Sequence, residues 1–236
     1  MLKNILTASL LVVMSLPLTA RASLITGVLN FTGSANITEG TVGFVGNVFG
    51  ITAPASTQVG GFTALAGTSG TIINLSNPPD ATGIPLDVPD FITFSAAPNI
   101  SITLTYLFAG IDGAAGCSLT PPAAGQECTP NLPDQSPVNL QNTSSTSSTA
   151  SIDVLGTEVD SLTGDTILVT GIFSTPFSTQ SYQDILATIF GGGTVSTAFS
   201  AQFSTVSPEP GTLVGLAIGI GVIGIGLVYR KRSERA

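Results

Sequence analysis

Apolar and hydroxyl residues alternate along much of this chain. Ile100-Ser-Ile-Thr-Leu-Thr-Tyr-Leu-Phe108 puts every second side chain on one apolar face, the period of a half-buried strand. Asp165-Thr-Ile-Leu-Val-Thr-Gly-Ile-Phe173 has the same form. Further strands are predicted over Leu24 to Phe31, Thr41 to Phe49, Gln58 to Leu65, Thr71 to Leu75, Phe91 to Ser95, Ser151 to Val159 and Val195 to Phe203. Their separators carry turn chemistry, as in Asn77-Pro78-Pro79-Asp80, Asp112-Gly113 and Thr163-Gly164-Asp165. Many short strands with turns between them predict a mainly β fold, an antiparallel β-sandwich or a barrel-like closure. One helix interrupts the series. Ser181-Tyr-Gln-Asp184 has the form of a capping box, and Tyr182, Ile185, Leu186 and Ile189 then share one helical face before Gly191-Gly192-Gly193. Gln141 to Ser151 carries hydroxyls and no charge; it reads as an exposed loop or edge strand, with a flexible or O-glycosylated segment as the other reading.

The periodicity fails at both ends, where the apolar residues run together. Ile5 to Leu18 follows Lys3 and precedes Ala20-Arg21-Ala22, the order of a signal peptide whose cleavage site is marked by Ala20 and Ala22. An uncleaved anchor is the alternative. Gly211 to Tyr229 has no charge and is apolar all round; as a helix it is roughly 28 Å long, close to the hydrocarbon thickness of a bilayer. Arg230, Lys231 and Arg232 follow as a membrane stop, and the positive-inside rule places them in the cytoplasm. Gly211, Gly215 and Gly219 allow close helix approach, or simply make a weakly associating span. The expected organisation is a signal peptide at 1–22, a β-rich acidic ectodomain at 23–206, and a C-terminal segment at 207–236. That last part holds a transmembrane helix at 211–229 and a basic tail at 230–236.

Charge sharpens this division. Every Lys and Arg lies in the terminal segments, no basic residue occurs from Ala22 to Tyr229, and the chain has no His. Of fourteen acids, Glu209 and Glu234 lie in the C-terminal segment, which leaves the body with twelve and a charge of about −12. Such a body has no cations to set against phosphate, which excludes ordinary nucleic-acid binding. Cys117 and Cys128 are the only cysteines. In an exported chain an even count at short separation favours one disulfide; a metal pair is the alternative, with no His and no third Cys to complete it.

The same inventory restricts catalysis. Without His, neither a Ser-His-Asp nor a Cys-His site can form, and zinc of the usual ligation is excluded. Carboxylate chemistry remains, as in a pair of acids flanking a glycosidic bond. Glu158, Asp160 and Asp165 cluster around a turn, and Asp87 and Asp90 form a second group. Oxygen ligands of this kind suit Ca²⁺, but neither run has the EF-hand order, and solvated turn carboxylates are the expected reading. Asn30, Asn36, Asn74, Asn99 and Asn142 begin sequons of the kind that arise by chance in a Ser- and Thr-rich chain. No enzyme activity and no cofactor are expected.

Pro208, Glu209 and Pro210 directly precede the Gly-rich span and the Arg-rich cluster. Together these residues resemble the PEP-CTERM sorting signal of Gram-negative bacteria, over about an eighth of the chain. The resemblance implies Pro208-Glu209-Pro210 as the motif read by an exosortase, a multi-pass membrane processing enzyme. It also implies an origin in exopolysaccharide- and biofilm-forming lineages. The expected partners are signal peptidase, the exosortase, the membrane before processing, and an extracellular polysaccharide. The expected location is a single-pass inner-membrane intermediate with its body outside, then the cell surface or matrix. A structural or adhesive role leads. A glycan-binding module, with or without Ca²⁺, and a two-carboxylate carbohydrate-active enzyme are the alternatives.

Overall fold

The computed structural model describes residues 26–132 and 134–206. In chain order the first strands are β1 (Gly27–Ile37), β2 (Thr41–Phe44), β3 (Val48–Ile51), β4 (Val59–Gly60), β5 (Ser69–Ile72), β6 (Leu75–Ser76), β7 (Pro85–Phe94) and β8 (Ala97–Leu107). They are followed by β9 (Glu127–Cys128), β10 (Asn131–Leu132), β11 (Asp134–Gln135), β12 (Val138–Asn142), β13 (Ser148–Asp160), β14 (Thr166–Phe177) and β15 (Val195–Thr205). A helix, α1 (Tyr182–Phe190), joins β14 to β15.

Eight strands form an antiparallel barrel in the order β14-β15-β1-β3-β5-β7-β8-β13. It closes where β13 pairs with β14, from Ser148↔Phe177 to Val159↔Thr166. Closure decides between the sandwich and the barrel, and it leaves unpaired edges only on the short added strands, where they are least able to template aggregation. β12 and β9 extend the sheet beyond β13, while β2, β4 and β6 are short additions near β1.

Alternation selects the interior. The odd residues of β1, β14 and β15 and the even residues of β13 carry most of the buried positions of their strands. Nine of the twelve phenylalanines fill the main core, so aromatic bulk replaces the missing Trp. Small residues make room for these rings. A Cβ on Gly33 would lie 2.6 Å from the Phe199 ring, and one on Gly171 would lie 2.5 Å from Phe203. Large and small side chains paired across neighbouring strands let the rings interdigitate inside a narrow barrel. Phe31 stacks on Phe203 at 5.6 Å between centroids and meets Phe173 edge-on at 6.1 Å.

The capping box forms as read. Ser181 Oγ accepts from the Asp184 N–H, and the Asp184 carboxylate accepts from the Ser181 N–H. Tyr182, Ile185, Leu186 and Ile189 are the buried residues of α1. They join Leu140, Ala150, Phe177 and Val195 in a second core that plugs the barrel end where β14 finishes and β15 begins. At the opposite end the Gly27 N–H donates to Thr205 Oγ1 at 2.8 Å, so the body's two termini leave side by side. Among the described residues, both cores draw only on positions 29 to 203. Residues 26–206 thus carry their own cores and their own barrel closure, the requirements of an autonomous folding unit.

Several predicted strands are cut or extended. Thr41 to Phe49 is broken into β2 and β3 because Gly46 and Asn47 adopt left-handed backbone, with φ of 68° and 55°. Gln58 to Leu65 is a two-residue strand followed by 3-10 helix over Gly61–Leu65. Ser151 to Val159 lengthens to β13, and Gln141 to Ser151 forms the end of β12, a turn and the start of β13.

Candidate functional site

The outer face of β12 and β13 is the polar half of their alternation. Leu140 and Asn142 are buried, so Asn139 and Gln141 stand on the other face. Register sets Asn139 beside Ser151 and Gln141 beside Thr149, with Glu127 of β9 next to Gln141. The segment after β8 overhangs this row. Asn139 Oδ1 accepts the Ile111 N–H at 2.8 Å and the Thr129 hydroxyl at 2.9 Å. Thr129 Oγ1 in turn accepts the Asp112 N–H at 3.1 Å. The result is a concavity of about 270 Å³ between Ile111–Asp112 and the strands, floored by Asn139, Gln141, Ser151 and Asp153.

Its electrostatics are one-sided. Burial raises the Asp112 carboxyl above its ordinary pKa, and the nearby negative charge of Glu127 raises it further. Gln141 Nε2 donates to Glu127 Oε1 at 2.7 Å. The bonds to Asn139 use its carbonyl oxygen and not its NH₂ donors. Beside this floor, Tyr106 and Phe108 meet edge to face at 5.0 Å, and the Phe108 N–H donates to the Asp153 carbonyl at 3.1 Å. Phe108 is 42% exposed and Ile111 is 86% exposed, so apolar surface flanks a polar floor. Amides, hydroxyls and carboxylates can bond a ligand rich in hydroxyls, and an exposed ring can pack on the C–H face of a sugar.

The cysteines predicted to pair do so. Cys117 and Cys128 are bridged, with 4.9 Å between Cα atoms, and the bridge ties a 3-10 turn at Ala115–Ser118 to β9. Of the Ca²⁺ candidates, Asp160 and Asp165 meet across the β13–β14 turn, where the Asp160 N–H donates to the Asp165 carbonyl at 3.0 Å, but Glu158 is set apart from them. β13 runs through Asp160, and its alternation turns Glu158 inward, where it is fully buried instead of lying in a solvated turn. Asp160 Oδ1 accepts from Asn99 Nδ2 and from the Leu162 N–H, each at 2.9 Å. The Asp165 N–H donates to Thr163 Oγ1 at 3.2 Å, within the turn itself. Among the described residues, no three His, Cys, Asp or Glu side chains are grouped to hold a metal ion. Asn142 is 1% exposed and its amide bonds Gln126 and Gln183, so that sequon is closed to modification in the fold.

Ala20, Ala22, the motif Pro208-Glu209-Pro210, the span at 211–229 and Arg230, Lys231 and Arg232 lie outside the described residues. Among those described, no helix is long and apolar enough to cross a membrane. The polar floor itself went unread in the sequence. Its signal was the run Val138-Asn-Leu-Gln-Asn142, whose apolar positions alternate with amides as those of a half-buried strand do. No family model, curated protein or solved structure matches this chain.

Proposed function

We propose that this chain is a non-catalytic, exported surface or matrix protein that adheres to an uncharged extracellular polysaccharide. The observation that carries the reading is the polar concavity over Asn139, Gln141, Ser151 and Asp153, flanked by the exposed Phe108 ring, which packs edge to face on the half-buried Tyr106. A body of about −12 with no cation disfavours acidic glycans, whose carboxylates it would repel. The C-terminal resemblance to a PEP-CTERM signal supports export and sorting by an exosortase, with Pro208, Glu209 and Pro210 as the recognised residues. The absence of His from the chain, and of Lys and Arg from Ala22 to Tyr229, supports a binding role over a catalytic one.

Retention of the 26–206 unit on immobilised neutral and acidic polysaccharides tests this directly. Neutral glycans should retain it, and Phe108→Ala and Gln141→Ala should each weaken retention about tenfold, one interaction of roughly 1.4 kcal/mol. Loss of retention in chelator would move the reading to the Ca²⁺-dependent alternative. Shortening of the glycan, abolished by Asp112→Asn or Glu127→Gln, would move it to a carboxylate enzyme. A folded barrel that binds none of the glycans would end the adhesive reading.

A further inference from the structure

The plugged end of the barrel is not completely filled. Between α1 and the strand ends lies a cavity of about 110 Å³, partly open to solvent. Leu75, Leu107, Ile152, Phe177, Leu186 and Ile189 are among its walls. Its rim carries the turn between β1 and β2 with Glu39, and the turn after β6 with Asp80. Asp80 is held there because its carboxylate accepts the Ser76 N–H at 2.8 Å. This cavity shares no residue with the polar concavity on the outer face.

We propose that this cavity binds an apolar group of about benzene's size on a cationic ligand, an arylalkylammonium in chemical class. Size and lining set the apolar part. A dry cavity of roughly 150 Å³ lined by aliphatic and aromatic side chains accepts benzene. The present one is smaller but open, so a substituent can project past the rim. Charge sets the remainder. Glu39 and Asp80 stand at the mouth, and no Lys, Arg or His occurs between Ala22 and Tyr229 to offset them. A carboxylate or sulfate entering beside these acids meets like charge in a partly desolvated setting, whereas an ammonium is drawn to them. Glu39 is exposed, so this preference weakens with added salt. The inference does not rest on the glycan reading, which concerns the outer face.

Three ligands that share a phenyl ring and differ in charge separate the two parts: benzyltrimethylammonium, benzyl alcohol and phenylacetate. Titrating each into the 26–206 unit while following leucine and isoleucine methyl resonances should move Leu75, Leu186 and Ile189. The cation should bind tightest, the alcohol more weakly, and phenylacetate about tenfold below the cation at low salt. Ala150→Leu fills the cavity from its wall and should abolish the shifts for all three. Glu39→Lys leaves the wall untouched and should narrow the gap between cation and anion, even if the filled variant fails to fold. No methyl shifts with any ligand, equal affinity for all three, or a gap indifferent to Glu39→Lys would each overturn the proposal. Failure here leaves glycan retention unaffected, and failure of glycan retention leaves this result standing.

Discussion

Two carboxylates show how a body without cations manages its charge. Asp160 has no Lys, Arg or His to pair with, and its neighbours instead supply neutral donors. The amide of Asn99 is the largest cause that lowers its pKa, followed by the Leu162 N–H. A depressed carboxylate contributes stability above its unfolded pKa and loses that contribution as pH falls through the folded value. Asn99→Ala should therefore raise the Asp160 pKa towards its ordinary value and move the acid-side loss of stability to higher pH. Carboxyl-carbon NMR titration of both proteins checks this, and an unchanged Asp160 midpoint would reject the assignment. Asp112 has the opposite sign. Burial and Glu127 favour its protonated form, so its contribution is lost as pH rises through the folded pKa.

The elements rank by how local their causes are. α1 was legible because its cap, its apolar face and its glycine stop all sit within thirteen consecutive residues, Ser181 to Gly193. β8 and β14 were legible from alternation alone. The region around Gln58 was not, because a side chain does a strand's work there. Gln58 Oε1 accepts the Asn30 N–H at 2.6 Å and its Nε2 donates to the Asn30 carbonyl at 2.8 Å. That amide seals the β1 edge between β3 and β4, and no hydropathy period records such a contact. Glu158 lay inside the predicted strand, but it was grouped with Asp160 and Asp165 by nearness to the turn, whereas its alternation with Val154 and Gly156 puts it on the inward face. The polar floor depended on β12, a strand of five residues set beside a disulfide-bonded loop. That loop also supports α1, since the buried Tyr182 hydroxyl donates to the Gly116 carbonyl at 2.7 Å. Its phenol is pushed above the ordinary tyrosine pKa by burial. Replacing both Cys117 and Cys128 by Ala should cost roughly 3 kcal/mol in the chain-entropy picture. Tyr182→Phe should cost about 1 kcal/mol. Because both act through the same loop, the combined loss should differ from the sum. Urea melts of the single, double and combined variants measure this, and strict additivity would mean that the loop and helix are energetically separate.

The whole molecule has a direction that no single strand reveals. Gly27 and Thr205 are hydrogen-bonded at one barrel end, while Ile37 and Val195 lie beside the helical plug at the other. Ten residue steps along β1 separate the ends, roughly 33 Å of extended strand before tilt. If the segment after Val206 anchors the chain, as the sorting reading holds, the Glu39 rim stands away from the bilayer and the barrel mouth near Thr26 faces it. Replacing Pro208-Glu209-Pro210 by Ala-Ala-Ala should leave export and the barrel's melting transition unchanged, and the body should then co-sediment with inner membrane. In that trapped form, a donor dye on Glu39→Cys should transfer little energy to an acceptor lipid, while one on Val206→Cys should transfer strongly. Normal release of the variant would count against Pro208-Glu209-Pro210 as the processing signal. Equal transfer from both dyes, with the body trapped, would reject the orientation alone and leave the sorting signal intact. The two readouts separate what the tail does from how the barrel is carried.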